Sequence, residues 1–101
     1  MTDREMLELA AKAAGLRLDE LGGRIVRREI DGQPVYWNPL TDDSDALRLA
    51  VSLGLVVDCS RPSAGEPYKQ HAVWHDELCD TATLTRRAIV RAAAELGKEM
   101  K

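Results

Sequence analysis

The hydrophobic positions along the chain predict three helices. Apolar residues recur every three or four positions in 6–14, 46–53 and 82–100, the spacing that places them on one face of a helix. Thr2 followed by Glu5 forms a capping box, and Gly15 and Gly54 stand where a left-handed residue ends a helix. We therefore predict helices from about residue 3 to 14, from the turn at 41–45 to residue 53, and from Thr81 onward.

Between these helices the pattern predicts two β-hairpins. Residues 25–30 and 35–37 are rich in β-formers and flank the turn dipeptide Asp31-Gly32. Pro34 cannot donate a ladder hydrogen bond, so the second arm begins after it or lies at an edge. Residues 55–57 predict a short strand covered on both faces, residues 61–67 a turn-rich loop, and residues 68–74 the partner strand.

The order of these elements predicts an α+β fold. Helices and hairpins in the order α-β-β-α-β-β-α favour one antiparallel four-stranded sheet with three helices, layered as an α-β-α sandwich. The chain has 101 residues, 45% of them hydrophobic, and it contains no repeat and no linker. We expect residues 1–101 to form a single domain.

Composition narrows the functional classes. No apolar run approaches the length of a membrane span, and the amino terminus lacks a secretion signal, so we expect a cytoplasmic protein. Fourteen basic against seventeen acidic side chains, a net charge of -3, argue against a general nucleic-acid binder. Two cysteines do not make a disulfide framework, and we expect Cys59 to be a small buried hydrophobe.

The acidic turn formed by Asp42, Asp43 and Asp45 has three interpretations. Its carboxylates can cap the second helix and compensate its dipole, or form an acidic patch for a partner, or hold a cation. A calcium loop counted from Asp42 would need Gly at position 47 and Glu at position 53, where this chain has leucines. We favour capping, with partner binding as the functional alternative.

No constellation of residues indicates catalysis, a cofactor or a metal. Cys59, His71, His75 and Cys79 could be drawn as zinc ligands, but the two histidines would lie about 13 Å apart on a strand. The chain has no Gly-x-Ser-x-Gly elbow and no phosphate-binding glycine loop. We expect a protein that is not an enzyme and uses no cofactor.

Two further features allow a packing and a binding interpretation. Trp37 and Trp74 each end a predicted strand, where a tryptophan fills the core or anchors a partner. The last helix carries an excess of basic side chains, which form a solvated face or contact phosphate: Arg86, Arg87, Arg91, Lys98 and Lys101. We predict partner binding at the corner formed by Trp37, Asp42, Asp43 and Asp45.

Three stretches resemble a family of small phage and prophage proteins described as having a phage α-β-α sandwich domain. They are residues 37–51 (WNPLTDDSDALRLAV), residues 85–95 (TRRAIVRAAAE) and the amino terminus with Thr2, Asp3, Arg4, Glu5, Leu7, Leu9, Ala10 and Ala11. Together they cover about half of the chain, whereas the two hairpins look individual. Ser44 stands where relatives are expected to have glycine.

This resemblance implies a fold and a genomic setting but no activity, because the family has no known function. We therefore expect a phage accessory protein in the cytoplasm of a bacterial host that binds a host or phage protein. Inhibition of a host defence system, such as a CRISPR effector, would suit an acidic protein whose target is positively charged. The alternative is a small nucleic-acid-binding phage regulator that uses the basic last helix.

Overall fold

The computed structural model of the protein describes residues 2–16, 25–30, 33–60, 62–66, 69–72 and 80–100. Within these residues, three helices and five strands follow one another. They are α1 (Asp3–Ala14), β1 (Ile25–Ile30), β2 (Gln33–Trp37), α2 (Asp43–Leu53), β3 (Val56–Asp58), β4 (Ser63–Glu66), β5 (Lys69–Ala72) and α3 (Thr81–Glu99).

The three predicted helices are confirmed, with their ends set by capping. The Thr2 hydroxyl accepts the backbone N–H of Glu5 at the start of α1, and Asp42 caps α2 in the same way. Gly15 and Gly54 adopt φ values of 73° and 65° at the ends of α1 and α2. These angles lie in the left-handed region, which glycine enters without steric cost.

Helix α3 is the centre of the fold. It packs most extensively on α1, and it also contacts α2 and the strands β3, β4 and β5. Its small buried side chains let its neighbours approach on several sides, among them Ala88, Ala92, Ala93 and Ala94. At Gly97 the backbones of α3 and α1 are so close that an added Cβ would overlap the carbonyl oxygen of Leu9.

The predicted single four-stranded sheet is wrong. In the described part of the chain the strands form two separate antiparallel sheets, one of β1 and β2 and one in the order β3-β4-β5. In the first sheet Ile25 pairs with Trp37 and Glu29 pairs with Pro34, so both strands are edges and the proline is tolerated. The fold is mixed α and β and mainly helical, and its central element is a helix instead of the sheet of an α-β-α sandwich.

The second predicted hairpin differs most from the structure. Residues 63–66, predicted as part of a loop, form the middle strand β4, where Ala64 and Gly65 are buried next to α3. The expectation that β3 is covered on both faces is also wrong, because Val56 is exposed and Val57 only half-buried. Cys59 follows β3 in a turn and is exposed instead of buried. His75, Cys79 and Trp74 lie outside the described residues.

One apolar cluster joins the elements. It brings together buried residues of α1, β2, α2, β4 and α3, including Met6, Trp37, Leu49, Ala64 and Val90. Trp37 is 5% exposed and attaches the end of the first hairpin to this cluster. None of the helices in the described ranges has the length and apolar character of a membrane span.

Candidate functional site

The turn before α2 is built around the buried carboxylate of Asp45. Asp45 is 7% exposed, and its Oδ2 accepts the backbone N–H of Asn38 at 3.0 Å. The carbonyl oxygen of Asn38 in turn accepts the N–H groups of Thr41 and Asp42. Asp45 therefore fixes the chain between β2 and α2, and its carboxylate is turned away from solvent.

The other two carboxylates of the acidic turn lie at the surface. Asp42 Oδ1 accepts the backbone N–H of Asp45 at 3.0 Å, which satisfies an otherwise unpaired donor of the first turn of α2. Asp43 is 80% exposed along its side chain and forms an ion pair with Arg86 at 2.6 Å. Capping accounts for Asp42, while Asp43 links α2 to α3.

Arg86 is the residue that holds this corner together. In addition to Asp43, its guanidinium donates to the carbonyl oxygen of Leu40 at 3.0 Å and to the hydroxyl of Thr83 at 3.1 Å. These bonds join α3, the turn after β2 and the start of α2. Sequence reasoning missed this role because Arg86 and Asp43 are 43 positions apart and no local pattern relates them.

A pocket of about 340 Å³ opens beside the Arg86–Asp43 pair, between α2, β3 and the start of α3. Most of its lining is apolar and comes from Ala46, Leu47, Val57, Ala82 and Ile89. The exposed thiol of Cys59 also faces it, as do the first residue of α3, Thr81, and Thr85. A concave apolar site with a few polar groups at one side is the usual form of a ligand pocket.

The apolar surface continues outside the pocket along α2. Leu47 is 64% exposed and Val51, one turn further along the same helix face, is 72% exposed. Exposed large aliphatic side chains that lie singly are common on protein surfaces. Here Leu47 lines a pocket and Val51 lies one turn away, so we group them with it as the α2 surface, defined by Leu47, Val51 and the pocket.

A further carboxylate stands at the start of α3, next to the pocket-lining Thr81. Asp80 caps the helix, and its Oδ1 accepts the backbone N–H of Thr83 at 2.7 Å. Hydrogen bonds from the Thr83 side chain and backbone, with a smaller contribution from the Arg86 charge, lower the pKa of Asp80 below its ordinary value. Asp80 therefore keeps its negative charge at neutral pH.

Three basic side chains of α3 form ion pairs with carboxylates of this chain. Arg86 pairs with Asp43, the first residue of α2, and Arg87 pairs with Asp3, the first residue of α1, each at 2.6 Å. Lys98 contacts Glu95 at 3.3 Å. The exposed residues of α3 are Thr81 and Ala82 at its start and Arg91, Lys98 and Glu99 further along. The alternative that this helix binds nucleic acid stays a prediction.

The described residues contain no group of three or more His, Cys, Asp or Glu side chains that could hold a metal ion. Two of the four residues considered as zinc ligands, His75 and Cys79, lie outside these residues. Cys59 lines the pocket, and the described residues of that lining include no histidine that could serve as its base.

The predicted partner-binding corner is thus divided by the fold. Trp37 and Asp45 are buried and serve the scaffold, whereas Asp42 and Asp43 lie at the surface. Partner binding at this corner stays a prediction, and its accessible part is the pair Asp42 and Asp43 with the neighbouring α2 surface. Sequence reasoning missed the pocket. One signal was present: Leu47 and Val51, one helix turn apart, make the apolar face of α2 wider than the core needs.

Comparison of this chain with known proteins finds no matching family model, no matching curated protein and no matching solved structure. The resemblance to the phage proteins therefore stays a prediction.

Proposed function

We propose that this protein acts by binding another protein through the α2 surface. The observation that carries the proposal is the exposure of Leu47 and Val51, one turn apart, beside an apolar pocket. Contact between these apolar side chains and water is unfavourable. Burying one of them against a partner contributes about 1.5 to 3 kcal/mol to the binding free energy. Apolar centres beside charged rims are the usual anatomy of a protein interface.

Charge supports a positively charged partner. Among the described residues, Asp43 and Arg86 line the pocket, and Asp42 and Asp80 adjoin the lining residues Asp43 and Thr81 in sequence. The whole chain carries a net charge of -3. An acidic rim speeds association with a basic surface and disfavours acidic partners. Proteins that handle nucleic acids present such basic surfaces.

The proposal also includes a phage origin for the protein. In the phage context that the sequence resemblance implies, the partner is a host or phage protein, and a nucleic-acid-handling defence effector has the required charge. The protein then works as a non-enzymatic inhibitor in the bacterial cytoplasm, covering a basic surface that would otherwise contact nucleic acid.

Affinity purification with matched variants tests the binding function. The bait with Leu47→Ser and Val51→Ser removes the exposed apolar side chains, while Arg48→Ser changes an exposed residue of the same helix outside the pocket lining. A specific bacterial protein should be captured by wild type and by Arg48→Ser and lost with the double variant. Capture of the same proteins by all three baits, or of none, contradicts the proposal.

The inhibitory role has its own test. Phage carrying the double variant should grow as poorly on hosts with the targeted defence as phage lacking the gene, and normally on undefended hosts. Equal growth of wild-type and deleted phage on hosts with each defence system tried would remove the inhibitory role while leaving protein binding in place.

A further inference from the structure

We propose that the pocket between α2, β3 and α3 receives one bulky apolar side chain from a partner segment in which that residue is flanked by lysine or arginine. The inference rests on the proposed protein-binding function and specifies the chemistry of the partner at that site. Three properties of the pocket carry it: its size, its lining, and the charges around its mouth.

The pocket is large enough to admit a bulky side chain. Its volume of about 340 Å³ lies at the small end of the range of about 300 to 1000 Å³ typical of ligand pockets. A free small molecule of matching size would fill the pocket but leave Val51 exposed. A peptide segment that inserts one side chain can also lie across Leu47 and Val51, and so cover the whole apolar area.

The lining of the pocket favours an apolar side chain. Ala46, Leu47, Val57, Ala82 and Ile89 offer no hydrogen bonds from their side chains. Of the two charged lining residues, Arg86 already donates to Asp43, Leu40 and Thr83. A charged or amide side chain buried here would lose its hydration without full compensation, which is costly.

The charges around the pocket favour basic flanking residues. Asp43 is a lining residue and is mostly exposed. Asp42 precedes it, and Asp80 precedes the lining residue Thr81; both carry carboxylates at helix starts. Among the described residues, these three carboxylates outnumber the one guanidinium of the lining, that of Arg86. Lysine or arginine on either side of the inserted residue would meet these carboxylates.

Cys59 provides a direct measure of occupancy because its exposed thiol lines the pocket. The probes are short synthetic peptides whose central Leu, Phe or Met is flanked on each side by two lysines. Alkylation of Cys59 by iodoacetamide, followed by peptide mass, should slow in a saturable way as a peptide is added. Replacing the central residue by serine should weaken protection at least about tenfold, the loss expected for one buried aliphatic side chain.

Further peptides and variants test the role of the flanking charges and the position of the binding site. Peptides with glutamates in place of the lysines should protect Cys59 at least about fivefold less well at low salt, and added salt should reduce this difference. Ala82→Trp places a large side chain in the pocket from an exposed position and should abolish protection. Arg91→Trp, at an exposed position of the same helix, should bind the peptides as wild type does.

The outcomes separate this inference from the proposed function. The inference is overturned if none of the three peptides protects Cys59 up to millimolar concentration, if the serine peptide protects equally, or if duplex DNA protects in their place. If the captured bacterial protein still depends on Leu47 and Val51 but binds Ala82→Trp normally, the pocket inference falls and the protein-binding function stands. If capture depends on neither set, both fall.

Discussion

Arg86 of α3 and Asp43 at the start of α2 form an ion pair at 2.6 Å across 43 positions of sequence. The same guanidinium donates to the carbonyl oxygen of Leu40 in the turn before α2. The neighbouring Arg87 pairs with Asp3 at the start of α1. Two consecutive arginines of the central helix thus hold the first residues of both other helices, where the carboxylates also face the positive ends of the helix dipoles.

Substitution of Arg86 is expected to destabilise the protein more than substitution of its ion-pair partner. Arg86→Met keeps an apolar stem but removes the bonds to Leu40, Asp43 and Thr83, at a cost of about 1 to 3 kcal/mol. Asp43→Asn removes only the exposed ion pair, which is screened by solvent and contributes less than about 1 kcal/mol. Urea unfolding measures both losses. Equal losses would mean that the Leu40 and Thr83 bonds contribute nothing.

Substitution of a buried carboxylate in the acidic turn is expected to cost more stability than substitution of an exposed one. Asp45→Ala leaves the N–H of Asn38 without its acceptor and should cost about 1 to 3 kcal/mol. Asp42→Ser keeps an oxygen that can cap α2 and should cost less than about 1 kcal/mol. Thermal unfolding of the two variants checks this order. A large loss for Asp42→Ser, with none for Asp45→Ala, would contradict the buried position of Asp45.

Gly97→Ala is expected to destabilise the protein even though alanine is the better helix former. The added Cβ would overlap the Leu9 carbonyl oxygen and lie 2.8 Å from its carbon, so α1 and α3 must move apart. The cost of overpacking, about 1 to 3 kcal/mol, exceeds the gain in helix propensity of about 1 kcal/mol over most of that range. Lys98→Ala, at the exposed neighbouring position, is the control and should change the unfolding midpoint little. A more stable Gly97→Ala variant would show that the helices are not in close contact.

The stability of the start of α3 is expected to fall in acid. The pKa of Asp80 in the folded protein is below its ordinary value of 3.8, so its stabilising contribution is fully present above that pH. The contribution is lost as the pH falls from 3.8 through the folded pKa. Asp80→Asn keeps a capping oxygen but cannot titrate.

The measurement is the difference in unfolding free energy between wild type and Asp80→Asn as a function of pH. Other carboxylates titrate in both proteins, so their effects largely cancel in this difference. Wild type should lose stability more steeply than the variant below about pH 3.8. Parallel curves for the two proteins would contradict the shift.

Local signals in the sequence determined the helices and the first hairpin. Thr2, Gly15 and Gly54 set helix ends through bonds within one turn, and such bonds depend only on neighbours in sequence. The β-forming residues on either side of Asp31-Gly32 determined β1 and β2 for the same reason. The negative balance of charge and the absence of a known catalytic motif were equally evident from the residues alone.

Tertiary structure decided how these elements assemble. Ser63–Glu66 has no β-branched residue, and it becomes the middle strand because β3 and β5 pair with it and α3 covers Ala64. The alanines of α3 gave the pattern of one apolar stripe, yet small side chains allow close neighbours on several sides, so the helix became the centre of the fold.

For the candidate site as well, sequence and tertiary structure determined different features. The sequence placed Trp37, Asp42, Asp43 and Asp45 together, but only packing decided that Trp37 and Asp45 are buried while Asp42 and Asp43 are exposed. The pocket lies between segments that are distant in sequence, with Leu47 on α2, Val57 on β3 and Ile89 on α3. Its shape depends on how these segments pack, and no local pattern of residues encodes a cavity between them.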